Sequence, residues 1–412
     1  MKISFYTFGC TINSYETQKL KDIFSKQGDE IVEETDSDAV IINSCAITGA
    51  AEKNVQRLIT RLKRKNSQRI IAVVGCYGEM LHKNGKTKYP DVDILMGNDK
   101  FEIFEKIHAY DIHHEGSSNS PVKAIAESGF MQVQNGCDNH CSYCIVPHLR
   151  GNSVSKDPIE IREELLDMAN SGYKEIVLAG LNLGLYQRDG YDLLDILKMA
   201  DEIDGIERIR LSSLEPMDVN SRFLEEFPTI KKLVSHLHIS LQSGCDNTLK
   251  QMNRNYRFED YLSMITKIRE KVPGIAISTD IIVGFPGETE NDFQESMLNA
   301  ARCQFSDIHI FKYSVRKGTP AASMPNQITE HQKTSRAGML KGIKLQTRYN
   351  YLSGFLGKTV NASLFKKTGD SSWEGMTENN IRVFVQGPDM PADGKSQVKI
   401  TGVIEDSLQG NI

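Results

Sequence analysis

Hydrophobic and polar positions in the N-terminal part of the chain predict strands that alternate with amphipathic helices. Short apolar runs such as AVIIN and RIIAVVG each precede a longer stretch with helical periodicity, for example ITGAAEKNVQRLITRLKRK. Strands and helices that alternate in this way form parallel sheets. The pattern predicts a parallel α/β domain over residues 1–115, followed by a polar linker from about His113 to Ser120 in which His114 is expected to be solvated.

The middle of the chain continues the alternation, and its C-terminal part changes to short strands. Six strands are predicted, namely GFMQVQN, KEIVLAG, RIRLSSL, LHISLQ, IAISTDIIVGF and DIHIFKY. Repeats of this kind indicate an open, partial (β/α)6 barrel over residues 123–352, with its chemistry at the carboxyl ends of the strands. Strands such as TVNASLF and QVKITGVIE then predict a small β-barrel over residues 353–412. The expected fold class is α/β with a small β-barrel attached.

Composition adds limits on location and partners. The 412 residues carry a formal net charge of −5, so the chain lacks the overall basic charge typical of nucleic-acid binders. One local exception is the stretch from Arg61 to Arg69, which is equally typical of a solvated helix end. The sequence shows neither a bilayer-spanning apolar run nor a signal peptide, which predicts a cytoplasmic protein without membrane contact. In a reducing cytoplasm, eight cysteines are more often metal ligands or catalytic groups than disulfides.

Three of these cysteines form a CxxxCxxC motif just after the first predicted barrel strand. They are Cys137, Cys141 and Cys144. A disulfide would leave one of them over, and structural zinc usually takes four ligands arranged as two pairs. An iron-sulfur cubane held by three thiolates instead keeps one iron open for a cofactor or substrate. The motif therefore favours an iron-sulfur cluster over zinc.

Another three cysteines each follow a predicted strand of the N-terminal domain. Cys10 follows SFYTFG, Cys45 follows VIINS, and Cys76 follows AVVG. Because the carboxyl ends of parallel strands meet at one edge of a sheet, we expect these cysteines to form a second three-thiolate site. The alternative is three separate, buried and inert cysteines. Cys245 and Cys303 have no such placement and are assigned to packing or to the surface.

These motifs resemble the radical S-adenosylmethionine (SAM) methylthiotransferases over essentially the whole chain. NGCDNHCSYCIVPHLRG, LHISLQSG and TDIIVGFPGET are similar to the radical SAM core of that family. TFGCTINSYET, INSCAIT and VVGCYGE are similar to its auxiliary-cluster signatures, and WEGMTENNIRVFV is similar to the RNA-binding TRAM module. The resemblance implies two 4Fe-4S clusters, one on each cysteine group, with SAM bound at the open iron of the CxxxCxxC cluster. It also implies radical chemistry at an adenosine C–H bond, with the transferred sulfur held by the auxiliary cluster.

Within this family, YET, RLSSLEP and AGLNLGLY look most similar to the MtaB type. That type converts N6-threonylcarbamoyladenosine (t6A) at tRNA position 37 to its 2-methylthio derivative. The resemblance thus implies the tRNA anticodon stem-loop as substrate and an electron donor such as flavodoxin or ferredoxin, whereas the sulfur donor is not identified. The alternatives are isopentenyl-adenosine 37 of tRNA or a ribosomal protein side chain as substrate, and an RNA-binding module whose clusters are structural.

Three further residues are predicted to bind SAM. The resemblance and the position of Tyr143, directly before the last cysteine of the motif, predict that it packs on the adenine of SAM. Glu215 and Gln242 end predicted barrel strands, where they can hydrogen-bond the amino group, ribose or carboxylate of SAM. Ordinary strand-end polar residues are the alternative interpretation for both.

The sequence also offers candidate residues for contact with RNA. The resemblance implies that Arg150 approaches a phosphate, while Lys156 stands about where the family usually has a further arginine. A lysine cannot reproduce the bidentate geometry of that arginine. The TRAM-like segment is not basic, so RNA contact there would depend on Trp373 and Phe384 stacking with bases. Both aromatic residues are equally expected in the core of the small barrel.

Overall fold

The computed structural model describes residues 1–86, 89–110, 128–387 and 394–412. The predicted linker with His113 and His114, and the predicted domain boundaries at 115 and 123, lie outside the described residues. The chain divides into two compact units. The first unit comprises Met1–Leu193, Glu202–Glu207 and Ser314–Ala322, and the second unit comprises Leu194–Asp201, Arg208–Tyr313 and Ser323–Ile412. The three-domain division drawn from the sequence stays a prediction.

A five-stranded parallel sheet forms the N-terminal part of the first unit, in the order β2-β1-β3-β4-β5. Every residue of β3 and β4 is buried, as expected for central strands rich in Val and Ile that are covered on both faces. The prediction of a parallel α/β sheet is confirmed. Its elements are β1 (Lys2–Thr7), α1 (Thr11–Lys26), β2 (Glu30–Ile31), β3 (Ala39–Ser44), α2 (Gly49–Lys65), β4 (Ile70–Gly75), α3 (Cys76–Lys83), β5 (Ile94–Leu95) and α4 (Ile103–Tyr110).

The remainder of the first unit begins with a strand that ends earlier than predicted. The segment GFMQVQN forms two strands, because β6 is parallel to β9 whereas β7 is antiparallel to β8. The break falls at Val133, and the cysteine-containing segment follows directly after β7. The elements are β6 (Ser128–Gln132), β7 (Gln134–Asn135), α5 (Val146–Arg150), β8 (Val154–Ser155), α6 (Pro158–Asn170), β9 (Glu175–Ala179), β10 (Gln187–Arg188) and β11 (Tyr191–Asp192).

The second unit contains a four-stranded parallel sheet in the order β13-β14-β15-β16. With β6 and β9, all six predicted barrel strands are present, and RIRLSSL is divided into β12 and β13. The elements after β11 are α7 (Leu193–Glu202), β12 (Arg208–Leu211), β13 (Ser213–Leu214), α8 (Ser221–Glu226), β14 (His236–Ile239), α9 (Asp246–Gln251), α10 (Phe258–Lys271), β15 (Ala276–Val283), α11 (Glu290–Cys303), β16 (Asp307–Lys312) and α12 (Glu330–Ser353).

The C-terminal segment of the second unit closes into a five-stranded barrel, in the order β17-β18-β19-β21-β20. Alternate residues such as Leu364, Val383 and Val398 fill its core. The small β-barrel is thus confirmed, although β18 and β21 were not predicted because their sequences, SWEGMT and SLQGN, are rich in polar residues and glycine. The strands are β17 (Thr359–Gly369), β18 (Ser372–Thr377), β19 (Arg382–Gln386), β20 (Lys395–Ile404) and β21 (Ser407–Asn411).

Membrane insertion by a helix is not supported. Among the helices of the described residues, none is both long and apolar enough to cross a bilayer.

Candidate functional site

Cys10, Cys45 and Cys76 lie at the carboxyl ends of β1, β3 and β4, as predicted, and we refer to them as the strand-end group. Cys10 immediately precedes α1, Cys45 directly follows β3, and Cys76 is the first residue of α3. Burial raises the pKa of Cys10 and raises the pKa of Cys45 to about 12. The negative charge of a Cys76 thiolate would raise both pKa values further, and that of a Cys10 thiolate would also raise the pKa of Cys45. The sheet therefore brings the three sulfurs close enough to act on one another electrostatically.

A glycine allows the backbone before Cys10 to approach Cys45. Gly9 has a φ of +128°, and a Cβ at this position would lie 2.6 Å from the Cβ of Cys45. A side chain there would both strain the backbone and collide with the neighbouring cysteine. The convergence of the strand-end group thus depends on glycine at position 9.

A buried set of charges lies beside Cys76. Glu16 accepts hydrogen bonds from Lys100 and from both terminal nitrogens of Arg150, the latter at 2.5 and 3.2 Å. These three side chains are at most 6% exposed, and two cations face one anion. Burial opposes ionisation of Glu16, but the charges of Lys100 and Arg150 outweigh it and lower the pKa of this carboxyl. A buried excess of positive charge therefore lies next to a cysteine sulfur.

Arg150 contacts the strand-end group directly. Its Nε donates a hydrogen bond to Sγ of Cys76 at 3.2 Å. One of its terminal nitrogens donates to Oδ1 of Asn13 at 3.3 Å, and the same oxygen lies 3.7 Å from Sγ of Cys10. The sequence predicted a phosphate contact for Arg150, whereas the structure gives it a carboxylate, an amide and a thiol as partners. Its neighbours Glu16 and Lys100 were not singled out from the sequence as site residues.

A second arginine lies near Cys45. Arg316, in the part of the first unit formed by Ser314–Ala322, pairs with Glu52 and donates from Nε to the carbonyl oxygen of Ile47 at 3.2 Å. Its charge acts to lower the pKa of Cys45, against the larger effect of burial. Buried thiolates, and any cluster that they hold, need such compensating positive charge. This donor set fits an anionic iron-sulfur cluster better than it fits three inert thiols.

Cys137, Cys141 and Cys144 lie in the segment between β7 and α5, and we refer to them as the loop group. All three are partly exposed. The amide of Cys137 donates to the carbonyl of Gly151 at 3.1 Å, and the amide of Cys144 donates to the carbonyl of Cys141 at 3.0 Å. Gly136, with a φ of +71°, brings the backbone so close to Asn152 that a Cβ would lie 1.8 Å from its carbonyl oxygen. Local backbone contacts thus fix a loop whose cysteines remain accessible to a cofactor.

Helix α5 connects the two cysteine groups. Ile145 and Leu149 pack in the same hydrophobic cluster as Val40 and Val73 of the central sheet and as Cys76. The next residue after Leu149 is Arg150, which bonds to Cys76. The loop group and the strand-end group are therefore held in one compact unit, although the sequence assigned them to different domains.

The residues predicted to bind SAM lie in both units. Tyr143 is in the first unit, whereas Glu215 and Gln242 are in the second. Glu215 follows β13 and forms an ion pair with Arg254, whose side chain is only 4% exposed and which was not identified from the sequence. Gln242 is 8% exposed and has a φ of +65°, a conformation that costs energy for a side chain other than glycine and often occurs at functional sites.

The structure also shows the contacts of the basic stretch and of Trp373. In the basic stretch, Arg61 and Lys65 pair with Glu34, which agrees with a solvated helix end. Trp373 packs against the core of the small barrel with the Nζ of Lys367 5.4 Å from its ring centroid, which favours a core role for this aromatic residue.

Comparison with known proteins identifies two families in the chain. Residues 131–300 match the radical SAM superfamily, and residues 2–97 match uncharacterized protein family UPF0004. The first match contains the loop group, and the second contains the strand-end group. A solved structure of the radical SAM methyltransferase TsrM from Kitasatospora setae has a TM-score of 0.54 with 13% identity, covering 78% of this chain and 77% of that one. This likeness supports the fold alone.

Curated relatives span most of the chain. Threonylcarbamoyladenosine tRNA methylthiotransferase MtaB of Thermotoga maritima is 36% identical over 85% of this chain and 84% of its own length. The MtaB of Bacillus subtilis is 33% identical over 93% and 90%. The tRNA-2-methylthio-N(6)-dimethylallyladenosine synthase of Rickettsia conorii is 34% identical over 100% and 99%. Family membership implies a 4Fe-4S cluster and SAM as cofactors. The chain belongs to the radical SAM tRNA methylthiotransferase family.

Proposed function

We propose that this chain transfers a methylthio group to C2 of t6A at position 37 of tRNA, using SAM and two 4Fe-4S clusters. The observation that carries the proposal is the presence, in one compact unit, of two separate three-cysteine groups. The curated MtaB relatives bear the name of this reaction. A three-thiolate set leaves one iron open, and two such sets allow two different reactants to be bound at iron.

The loop group is proposed to bind the cluster that activates SAM. When bound, this cluster supplies an electron for SAM cleavage, received from a donor such as flavodoxin or ferredoxin, while the other cluster supplies the sulfur to be methylated and transferred. The partly exposed cysteines of the loop group leave room for a cofactor. Their hydrogen-bonded backbone holds the ligands in place without closing the site.

The strand-end group is proposed to bind the auxiliary cluster. Arg150 donates to Cys76, and Arg316 places a second positive charge near Cys45. These arginines offset the negative charge of thiolate ligands. Glu16, which also pairs with Lys100, holds Arg150 in position. These buried charged residues around the cysteines support the second cluster, in addition to the family relationship.

The SAM-binding roles of Tyr143, Glu215 and Gln242 are part of the same proposal. Arg254 pairs with Glu215 and fixes the orientation of its carboxylate, which can accept a hydrogen bond from the amino group of SAM. Gln242 has a left-handed backbone, and its main-chain N–H and carbonyl are hydrogen-bonded to Asp280 and Ile282. Gln242→Ala is expected to raise the KM for SAM about tenfold or more, because a preorganised hydrogen-bonding group would be lost.

The test uses reconstituted protein under anaerobic conditions with SAM and a reductant. It is offered tRNA that carries either t6A or isopentenyl-adenosine, and the digested nucleosides are read by mass spectrometry. The proposal predicts a methylthio mass gain on t6A alone. A gain on isopentenyl-adenosine alone would show that the substrate is wrong and the chemistry right.

Two controls separate the reaction from its substrate. Cys10→Ala protein is expected to cleave SAM and yet to leave t6A unmodified, because only the auxiliary cluster loses a ligand. If wild-type protein cleaves SAM and modifies neither tRNA, the tRNA proposal is contradicted, and a ribosomal protein side chain becomes the substrate to test.

A further inference from the structure

Two histidines and an aspartate converge on the sheet of the second unit. His238 is on β14, Asp280 on β15 and His309 on β16. The register pairs His309 directly with Asp280, and His238 with Ser278, which faces the same side of β15 as Asp280. Nε2 of His238 and Nδ1 of His309 each lie 3.2 Å from Oδ1 of Asp280. The three ligand atoms all lie within 4.8 Å of one another.

The second nitrogen of each imidazole has its own partner. Nδ1 of His238 lies 2.9 Å from Oγ of Ser278, and Nε2 of His309 lies 3.4 Å from Oδ2 of Asp307. Lys344 in turn pairs with Asp307 at 2.9 Å. Histidines that bind a metal through one nitrogen almost always donate from the other to a carboxylate, backbone carbonyl or water, which fixes the ring. His309 has a carboxylate in this position, and His238 has the Ser278 hydroxyl, which also contacts Nε2 of His236 at 2.8 Å.

The face that carries these residues is accessible, whereas the opposite face of the same sheet is packed. The side chains of His238, Asp280 and His309 are 10%, 23% and 49% exposed. Ile277, on the other face of β15, is fully buried. An ion and its water ligands can therefore reach the cluster, and the sheet behind it is rigid enough to hold three ligands in fixed positions.

We propose that His238, Asp280 and His309 bind one divalent metal ion such as Zn²⁺, independently of the iron-sulfur clusters. With metal bonds of about 2.0–2.1 Å, the ligand atoms of a tetrahedral zinc site lie about 3.3 Å apart, close to the two nitrogen–oxygen distances of 3.2 Å observed here. Two imidazoles and one carboxylate suit Zn²⁺, Fe²⁺ or Mn²⁺. Three protein ligands leave a position for water or for an oxygen atom of a substrate. None of these three ligands is a cysteine or a residue assigned above to SAM, so the inference does not rest on the proposed function.

The same contacts can be made without a metal by a protonated His309 that bridges Asp280 and Asp307. Zinc binding distinguishes the two states. Full-length protein with both clusters reconstituted is dialysed anaerobically against Zn²⁺ over a range of concentrations, and zinc and iron per chain are measured by elemental analysis. Loaded clusters keep the cysteines from binding the probe.

The site predicts saturable binding of one zinc ion per chain with unchanged iron. Asp280→Asn and His309→Asn should weaken this binding at least about 100-fold, since removal even of an outer partner commonly costs 10–100-fold. His309 is half exposed, so its substitution does not threaten folding. His331→Asn removes an exposed histidine on α12 and should bind zinc as the wild type does.

X-ray absorption at the zinc edge identifies the ligands. Nitrogen and oxygen neighbours at about 2.0–2.1 Å, without sulfur at about 2.3 Å, support the site. Sulfur neighbours, absence of zinc from the wild type, or unchanged binding by the Asp280→Asn and His309→Asn proteins would each overturn it.

Discussion

The loop group and the strand-end group contain the same number of cysteines but are assembled in different ways. Cys137, Cys141 and Cys144 come from one segment, are partly exposed, and lie in a loop held by backbone hydrogen bonds, one of them to Gly151 just after α5. The strand-end group comes from three strands of a parallel sheet, and two of its members, Cys45 and Cys76, are buried. Two arginines with carboxylate partners, Arg150 and Arg316, lie beside the strand-end group.

This difference indicates what each group depends on. The loop group needs a local backbone conformation, and its exposure suits a site that admits and releases a small cofactor. The strand-end group needs the packing of the whole sheet and the buried charges of Glu16, Lys100 and Arg150. A change in the sheet or in these charges should therefore affect the strand-end group and spare the loop group.

The largest effects are expected from removal of single cysteine ligands. Cys141→Ala should abolish SAM cleavage and methylthio transfer together, because the cluster that activates SAM loses a ligand. Cys45→Ala should lower the rate of methylthio transfer by about 1000-fold or more while SAM cleavage continues. The reason is that the radical chemistry and the sulfur chemistry use different clusters. Both activities are measured by chromatography of SAM products and nucleosides.

Cys303→Ala provides the matched control, because Cys303 is buried outside both groups. It should keep both activities. Loss of SAM cleavage in the Cys45→Ala protein, with iron still bound at the loop group, would contradict separate roles.

Gly9→Ala should destabilise the packing around the strand-end group. The new Cβ meets Cys45 at 2.6 Å in a left-handed region of the backbone, so a loss of about 3 kcal/mol in the free energy of unfolding is expected. Gly28→Ala has the same type of backbone, with a φ of +93° and no atom within 4 Å, and should cost about 1 kcal/mol. Urea unfolding measures both. Equal losses would show that crowding against Cys45 is unimportant.

Arg150→Gln should change the reduction potential of the auxiliary cluster alone. Loss of a cation that donates to Cys76 makes addition of an electron less favourable, which lowers the potential by about 60 mV, equivalent to about 1.4 kcal/mol for one electron. Arg150→Lys should restore part of the shift, because it keeps the charge. Redox titration followed by electron paramagnetic resonance reports each cluster. An unchanged potential with full iron content would rule out this role for Arg150.

The smallest effect is expected from Asn182→Ala. Its Nδ2 lies 3.9 Å from Sγ of Cys137, too far for a strong hydrogen bond. Its removal should shift the potential of the loop-group cluster by less than about 20 mV, well under the 59 mV that a tenfold change requires. A shift as large as that expected for Arg150 would mean that both clusters are tuned by side-chain contacts.

The sequence revealed the cysteine groups because each follows a rule of local structure. CxxxCxxC is contiguous, and cysteines directly after buried strands of a parallel sheet must meet at one edge. The same rule placed Glu215 and Gln242 at strand ends. The strands β18 and β21 were missed, since short barrel strands with glycine and polar residues carry a weak alternating pattern.

The contacts around the groups could not be predicted in this way. Glu16 is 84 residues from Lys100 and 134 residues from Arg150, so no spacing rule connects them. His238, Asp280 and His309 lack a helical ligand spacing because they lie on separate strands, and the intervening helices set the distances between them in the sequence. Such contacts are products of the tertiary fold.

Iron content and electron paramagnetic resonance of two triple variants test whether each cysteine group binds its own cluster. One protein has Cys10, Cys45 and Cys76 changed to alanine, and the other has Cys137, Cys141 and Cys144 changed. Two separate clusters predict about eight iron atoms in the wild type and about four in each variant, with SAM altering the spectrum only where the loop group is intact. A variant that keeps about eight iron atoms, or a SAM effect that persists without the loop group, would contradict two separate clusters with separate roles.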